Sequence, residues 1–284
     1  MNTNATYCLV TEAFGHGFAS LLYAQAYGMI PVAYSDKNNE SDYTAQVKQI
    51  INNLSFFEPS MPAVSWEDRK AYANEFNFRK ELLAGNISAK NWQDMATTKL
   101  FPLLGSEIGL PEFASLSDGA TLFVPQKLQS DGLCGATAEQ QSLSPALFSF
   151  LKGENLALGQ HFHKVNDLPP VEALAKEFNL YVPGMTEDKE VFGIRGIQHK
   201  MYWNFYRKMS ACVGIAGTHT WYLLTCMPEV PQVILYRKGM EKWDEIEAAY
   251  RAAGYDIRCI GFDESTNMEL LSKEIEAAYA EIKK

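Results

Sequence analysis

The stretch 212-CVGIAGTHTWYLLTCMPEVPQVILY-236 carries the pattern on which the fold turns. Cys212–Ile215 is a short run of strand formers that enters Ala216-Gly217-Thr218. Trp221–Met227 reads as a helix, and Gln232–Tyr236 as a second apolar strand. Strand, glycine turn, helix, strand is the unit of a parallel sheet. Parallel strands cannot be joined by a tight turn and need a crossover over one face.

The same alternation continues on both sides. Toward the C-terminus, Met240–Ala253 is a periodic helix ended by Gly254, and Tyr255–Ile260 is a strand. A last helix, Met268 to Ile282, is opened by Thr266-x-x-Glu269, a capping-box pattern. Toward the N-terminus come a helix at Gln198–Met209, a strand at Leu180–Val182 and a helix at Pro170–Phe178 with proline near its first turn. Before these lie a weak strand at Leu156–Leu158, a helix at Ser144–Leu151 and a strand at Thr121–Pro125.

Gly105–Gly119 has the turn chemistry of a linker. Ahead of it, Tyr7–Thr11 is a strand, Phe14-Gly15-His16-Gly17 a turn, Phe18–Tyr27 a helix stopped by Gly28, and Pro31–Tyr34 a second strand. Ser41–Leu54 and most of Ser65–Leu104 read as helical, the latter opened by a capping box at Ser65-x-x-Asp68, and strand signals are scarce there. The expected fold is therefore α/β, with two Rossmann-like domains facing a cleft. Residues 1–115 form the N-terminal half and 116–265 the C-terminal half, and a terminal helix, 266–284, is expected to cross back to the first. Ligands of such sheets bind at the carboxyl ends of the strands, and facing halves place those ends on a cleft.

Composition narrows the function classes. The chain has 284 residues, 47% hydrophobic and 21% charged, as in ordinary globular proteins. A net charge of −9 gives no electrostatic footprint for wrapping duplex DNA. Local basic clusters exist at Arg195, His199, Lys200, Arg207 and Lys208, and at Arg237 and Lys238, so an enzyme acting on nucleic acid stays open. Five cysteines, an odd number with no CxxC, suggest neither a disulfide framework nor a zinc site and point to a reducing compartment. The N-terminus lacks the basic start and apolar core of a signal peptide. Ala13–Ser35 has no charged residue, but its glycines and Pro31 make it turn, helix and strand rather than a membrane span. The expected location is cytoplasmic.

Two loops carry the candidate chemistry. Gly15-His16-Gly17 lies between a strand and a helix start, where glycines let the backbone approach a ligand and helix N–H groups favour anions. His16 has the type of side chain that deprotonates a hydroxyl near neutral pH. The alternative is a histidine hydrogen-bonded in a tight turn. Glu12, Asp36 and Asp94 are candidates for orienting it. Gly217-Thr218-His219-Thr220 follows a strand and starts a helix, so its backbone and the Thr218 and Thr220 hydroxyls suit phosphate oxygens. His219 would add a further contact to a diphosphate. The alternative is N-capping by Thr218, with His219 packed structurally. Lys127, after the first strand of the second half, and Arg195, near a helix start, are further candidates for phosphate, each weighed against an ordinary surface position. On a strand His161 and His163 would share one face, but they lack a nearby Cys or acidic third ligand at the usual spacing, so no metal site is expected.

These loops also carry a resemblance. Phe14–Ser35, FGHGFASLLYAQAYGMIPVAYS, resembles the start of inverting GT-B glycosyltransferases with a Gly-His turn after the first strand. The resemblance implies that His16 is the catalytic base. The related heptosyltransferases carry an acidic residue after that glycine, and His16 departs from them. Tyr206–Tyr236, YRKMSACVGIAGTHTWYLLTCMPEVPQVILY, resembles the donor-binding end of heptosyltransferase-like enzymes. Thr218 and His219 fall in their turn in altered order, and Pro231 takes the place of their proline. Leu100–Glu112 resembles their interdomain segment. The similarity is patchy and covers about a third of the chain. It implies transfer of a hexosyl or heptosyl group from a nucleotide-diphosphate donor to an acceptor hydroxyl, with inversion and with no essential metal or cofactor. Gly15 and Gly17 would then sit beside the acceptor, and Lys127, Arg195 and Gly217–Thr220 would hold the diphosphate. The alternatives are a nucleotide-sugar 2-epimerase and a non-catalytic nucleotide or sugar binder. The acceptor stays open among glycans, small molecules and modified nucleobases.

Overall fold

A computed structural model describes residues 7–10, 24, 27–34, 63–64, 81, 83–95, 97–98, 116–125, 143–159, 168–182, 205–217, 219–220, 223–224, 227–239 and 243–283. Two compact units emerge, Met1–Glu107 with Thr220–Glu229, and Ile108–His219 with Val230–Lys284.

The first unit holds a three-stranded parallel sheet in the order β1-β2-β3, namely Tyr7–Val10, Ile30–Tyr34 and Ala63–Val64. The first two strands match the sequence reading, in register from Tyr7↔Ile30 to Val10↔Ala33. Ala24, in the connection between them, is helical and fully buried. The third strand had no sequence signal, because two residues cannot display a period. Helix α1, Ala89–Met95, begins after Ser88, whose Oγ accepts from the Asn91 N–H at 3.1 Å. It buries Ala89 and Trp92. The predicted capping box at Ser65 lies outside the described residues.

The second unit is built on a five-stranded, all-parallel sheet in the order β5-β4-β6-β7-β8. Its strands are β4, Ala120–Val124; β5, Leu156–Leu158; β6, Met209–Ile215; β7, Gln232–Arg237; and β8, Ile257–Phe262. Strands β4 to β7 are almost wholly buried, as strands covered on both faces must be. Beyond β5 the expected strand Leu180–Val182 is reduced to one bridge, Ala157↔Tyr181. Tyr181 gives its N–H to Leu156 O and takes the Leu158 N–H, both at 2.9 Å. Leu180 and Val182 are buried, so the apolar signal was real, but the three residues of β5 leave little ladder to extend.

With that bridge counted as a third strand, the chain runs outward from β4 through β5 to Tyr181. It then returns to the other side of β4 and continues through β6, β7 and β8. This is the strand order of a Rossmann sheet. The direction in which successive strands are added reverses between β4 and β6, though all run parallel.

One face is covered by the helix α2, Leu168–Phe178, a 3-10 helix at Pro145–Leu151 and the terminal helix α4, Met268–Ile282. Phe123 is the centre of that core, edge-on to Phe148 with centroids 5.0 Å apart and tilted on Phe178 at 5.1 Å. Each such buried aromatic contributes about 1.5–3 kcal/mol by leaving water. The predicted α-helix over Ser144–Leu151 is a 3-10 helix, with Leu147 N–H bonded to Ser144 O, and it is interrupted where Phe148 leaves helical geometry. Helix α3, Trp243–Ala252, packs on β8 and buries Trp243, Ile246 and Tyr250 at helical spacing.

The terminal helix, expected to cross back to the first half, lies along the five-stranded sheet. Leu271, Ile275, Tyr279 and Ile282 form its buried stripe. The hydroxyls of Tyr279 and Thr121 are hydrogen bonded at 2.7 Å inside the core. Its cap is Asn267, which accepts from the Glu269 and Leu270 N–H groups, rather than Thr266 as the capping box implied. Thr266 is diverted because its Oγ1 accepts the Asp263 N–H at 2.9 Å and closes the preceding turn.

Met209 is not the end of the helix that the sequence pattern predicts over Gln198–Met209. It starts β6 instead, opposite Ala120, and Ser210 is accommodated by a bulge whose hydroxyl donates to Gly119 O at 2.8 Å. At the outer edge of the sheet, the N–H of Cys259 donates to Glu247 Oε2 of α3 at 2.7 Å, which blunts an otherwise open strand.

Candidate functional site

In an open parallel sheet the crevice forms where neighbouring strands send their connections in opposite directions. Here that place is the carboxyl ends of β4 and β6, Val124-Pro125 and Ile215-Ala216-Gly217. The two ends pair directly, Val124 against Gly214. A Cβ at Gly214 would lie 2.3 Å from Val124 O, so only glycine permits this approach of the two backbones. On the other flank, a Cβ at Gly159 would meet Val124 Cγ2 at 2.7 Å. Val124 therefore sits between two glycines, and its side chain covers the space that one of them leaves.

Of the residues singled out from sequence, Gly217, His219 and Thr220 are described, and Gly217 and His219 stand beside this crevice. The Ala216 N–H still belongs to the sheet, donating to Leu235 O at 2.8 Å. From Gly217 the chain leaves the ladder, and it becomes helical at His219 and Thr220. The His219 ring folds back onto Gly217. A Cβ there would be 3.3 Å from both Cε1 and Nδ1, so a bare Cα gives the imidazole its seat. His219 is 4% exposed and Thr220 1%. Both side chains are thus largely inside. A strand end that passes into a helix is the kind of place at which proteins bind anions, and the His219 ring packed on Gly217 fixes its shape here.

Gly15, His16, Gly17, Lys127, Arg195 and Thr218 lie outside the described residues, as do His161, His163, Glu12 and Asp36. Asp94, a candidate partner for His16, is exposed on α1 and pairs with Lys90 at 2.9 Å. Among the described residues, no three His, Cys, Asp or Glu side chains come together as a metal-binding group. No described helix is long and apolar enough to cross a membrane.

The sheet also brings to its carboxyl edge residues that sequence reasoning had not joined. Arg237 ends β7 and pairs with Glu264, while Lys238 stands 3.7 Å from Asp263. Asp263 accepts from the Ser265 hydroxyl at 2.6 Å, the Ser265 N–H at 2.9 Å and the Thr266 hydroxyl at 3.1 Å. The Ser265 hydroxyl, first among these, holds the carboxyl down at about 2. The signal for this cluster was the basic pair Arg237-Lys238 followed, one helix and one strand later, by Asp263-Glu264. Only the neighbouring positions of β7 and β8 bring the two pairs together.

No protein-family model matches this chain, and no curated protein matches it either.

Proposed function

We propose that the chain is a glycosyltransferase of GT-B type that transfers a sugar from a nucleotide-diphosphate donor to an acceptor hydroxyl with inversion. Its donor site would lie at the carboxyl edge of the five-stranded sheet. The observation that carries the reading is the place of the Gly217–His219 loop at the chain reversal between β4 and β6, where Rossmann sheets bind phosphate-bearing ligands. A dinucleotide oxidoreductase has weaker support on the same sheet. Its fingerprint is a G-x-G-x-x-G turn after the first strand and an acid after the second. Here β4 runs into Pro125-Gln126-Lys127, and β5 into Gly159-Gln160-His161. In the proposed reaction His16 takes the proton of the acceptor hydroxyl, the hydroxyl oxygen attacks the anomeric carbon, and the bond to the diphosphate breaks with inversion. The backbone at Gly217, with Thr218 and Lys127 or Arg195, stabilises the departing charge, while Thr220, 1% exposed, takes no part. A second Rossmann-like half at the N-terminus, facing this one across a cleft, belongs to the same proposal.

The test is a melting-temperature screen with nucleoside diphosphates and nucleotide sugars. A ligand at a hundred times its Kd stabilises by about 2.7 kcal/mol. For a unit of this size that raises the melting temperature by roughly 5–11 °C. A His16→Ala variant is expected to keep the shift and lose transfer. Product stereochemistry by NMR is expected to show inversion. Absence of a shift with every nucleotide removes the reading, and an epimerised donor formed without acceptor replaces transfer by epimerisation.

A further inference from the structure

An acidic chain that binds a diphosphate needs local positive charge near the site. Among the described residues at the carboxyl edge of the five-stranded sheet, the lysine and arginine side chains are those of Arg237 and Lys238. Their place is favourable. Parallel strands lie about 4.8 Å apart, so the end of β7 is one strand spacing from the end of β6 and two from β4. A diphosphate at this edge would have to lie over β7, beside the contacts that Arg237 and Lys238 make with Glu264 and Asp263.

The two basic side chains are held differently from their partners. The Arg237 side chain is 17% exposed, whereas Glu264, which its Nη2 contacts, is 74% exposed. The cation is therefore built into the edge, and the anion is a surface residue on a turn. Lys238 is half exposed and, among the described residues, makes only the long contact with Asp263, whose carboxylate is already committed to the Ser265 and Thr266 turn. A guanidinium fork matches two phosphate oxygens as well as it matches a carboxylate, and a diphosphate carries more charge than one glutamate.

We propose that Arg237, with Lys238 beside it, binds the phosphates of the ligand at this edge, and that Glu264 is an exchangeable placeholder on Arg237 that the ligand displaces. The proposal rests on the nucleotide-diphosphate reading above and adds to it the residue that competes for the site. It makes an unusual demand, since removing an acid–base contact should improve binding.

The experiment uses the full chain, isothermal calorimetry at low salt, and two probes, inorganic pyrophosphate and a panel of nucleoside diphosphates. Glu264→Gln, a change at an exposed position, is expected to tighten pyrophosphate and the preferred nucleotide several-fold. Arg237→Lys keeps the charge but loses the fork and is expected to weaken both by about tenfold or more. Melting without ligand checks that each variant is folded. If wild-type chain binds nucleotides and neither variant changes the affinity, Arg237 is not the phosphate ligand, while the nucleotide reading stands. If pyrophosphate binds in an Arg237-dependent, Glu264-opposed manner and no nucleoside adds affinity, the phosphate site stands and the nucleotide reading falls. If neither probe binds, both fall.

Discussion

Replacing Gly214 by alanine tests the geometry of the chain reversal directly. A Cβ at that position would be 2.3 Å from Val124 O, 2.6 Å from Val124 Cβ and 2.7 Å from Val124 C. Unbonded carbon atoms rest about 3.5–4.0 Å apart, so the ends of β4 and β6 would have to separate by about 1 Å. Two of the three obstructing atoms are backbone, and no rotamer change relieves them. Overpacking of this kind costs about 1–3 kcal/mol, and loosening one or two ladder hydrogen bonds adds about 0.5–1.5 kcal/mol each. Gly214 also has φ 155°, which an L side chain rarely adopts. With about 1–2 kcal/mol for that backbone conformation the sum is roughly 2.5–8 kcal/mol, or a fall in melting temperature of about 5–30 °C at about 2–4 °C per kcal/mol. The assay is calorimetric melting of the variant beside a Gly153→Ala control. Gly153 has φ 95° with nothing within 4 Å of the methyl that alanine would add, so its loss reports the backbone term alone, about 1–2 kcal/mol. Equal melting of the two variants would show that β4 and β6 do not approach in this way, and would remove the crevice on which the candidate site stands.

Other perturbations reach separate parts of the second unit. Tyr279→Phe leaves the fully buried Thr121 hydroxyl without its partner and is expected to cost about 1–3 kcal/mol, while the double variant with Thr121→Val recovers part of that loss; strict additivity in chemical denaturation would show that the pair is not coupled. Asp263 has a folded value near 2, below its ordinary 3.8, so its contribution is complete above pH 3.8 and fades as pH falls toward 2. Asp263→Asn should therefore flatten the acid limb of stability in that window, and an unchanged acid unfolding curve would contradict the Ser265–Thr266 turn. Burial pushes the Cys212 thiol well above its usual range, and the thiolate is the nucleophile. Cys212 is expected to resist alkylation at pH 8 until the chain unfolds, read by mass spectrometry of the modified peptides, and rapid modification in the folded chain would place it at the surface.

The amino-acid pattern by itself determined the alternation of strands and helices along the second unit. The succession of β6, a helical stretch and β7 was legible because a buried parallel strand is a short apolar run, and the segment between two such runs has a helical length. The Gly217–Thr220 loop was legible for the same reason, as a glycine turn following a strand. What the sequence lacked was any measure of lateral order. Nothing in Thr121–Pro125 or Cys212–Ile215 tells which strands are neighbours, yet their adjacency creates the chain reversal and singles out that loop among all those in the unit. Gly214 looked like one more strand residue until the Val124 carbonyl stood in the way of its missing Cβ. Local signals also lost to tertiary demand. Thr266 was drawn into the Asp263 turn and left the cap to Asn267, and Met209 was drawn into the bulged start of β6. Arg237 and Glu264 are 27 residues apart and carry no shared motif. Their meeting, like that of Thr121 with Tyr279, follows from strand order and helix docking. Sequence periodicity records the faces that must be buried, and only the folded chain decides which buried faces, and which strand ends, come to lie side by side.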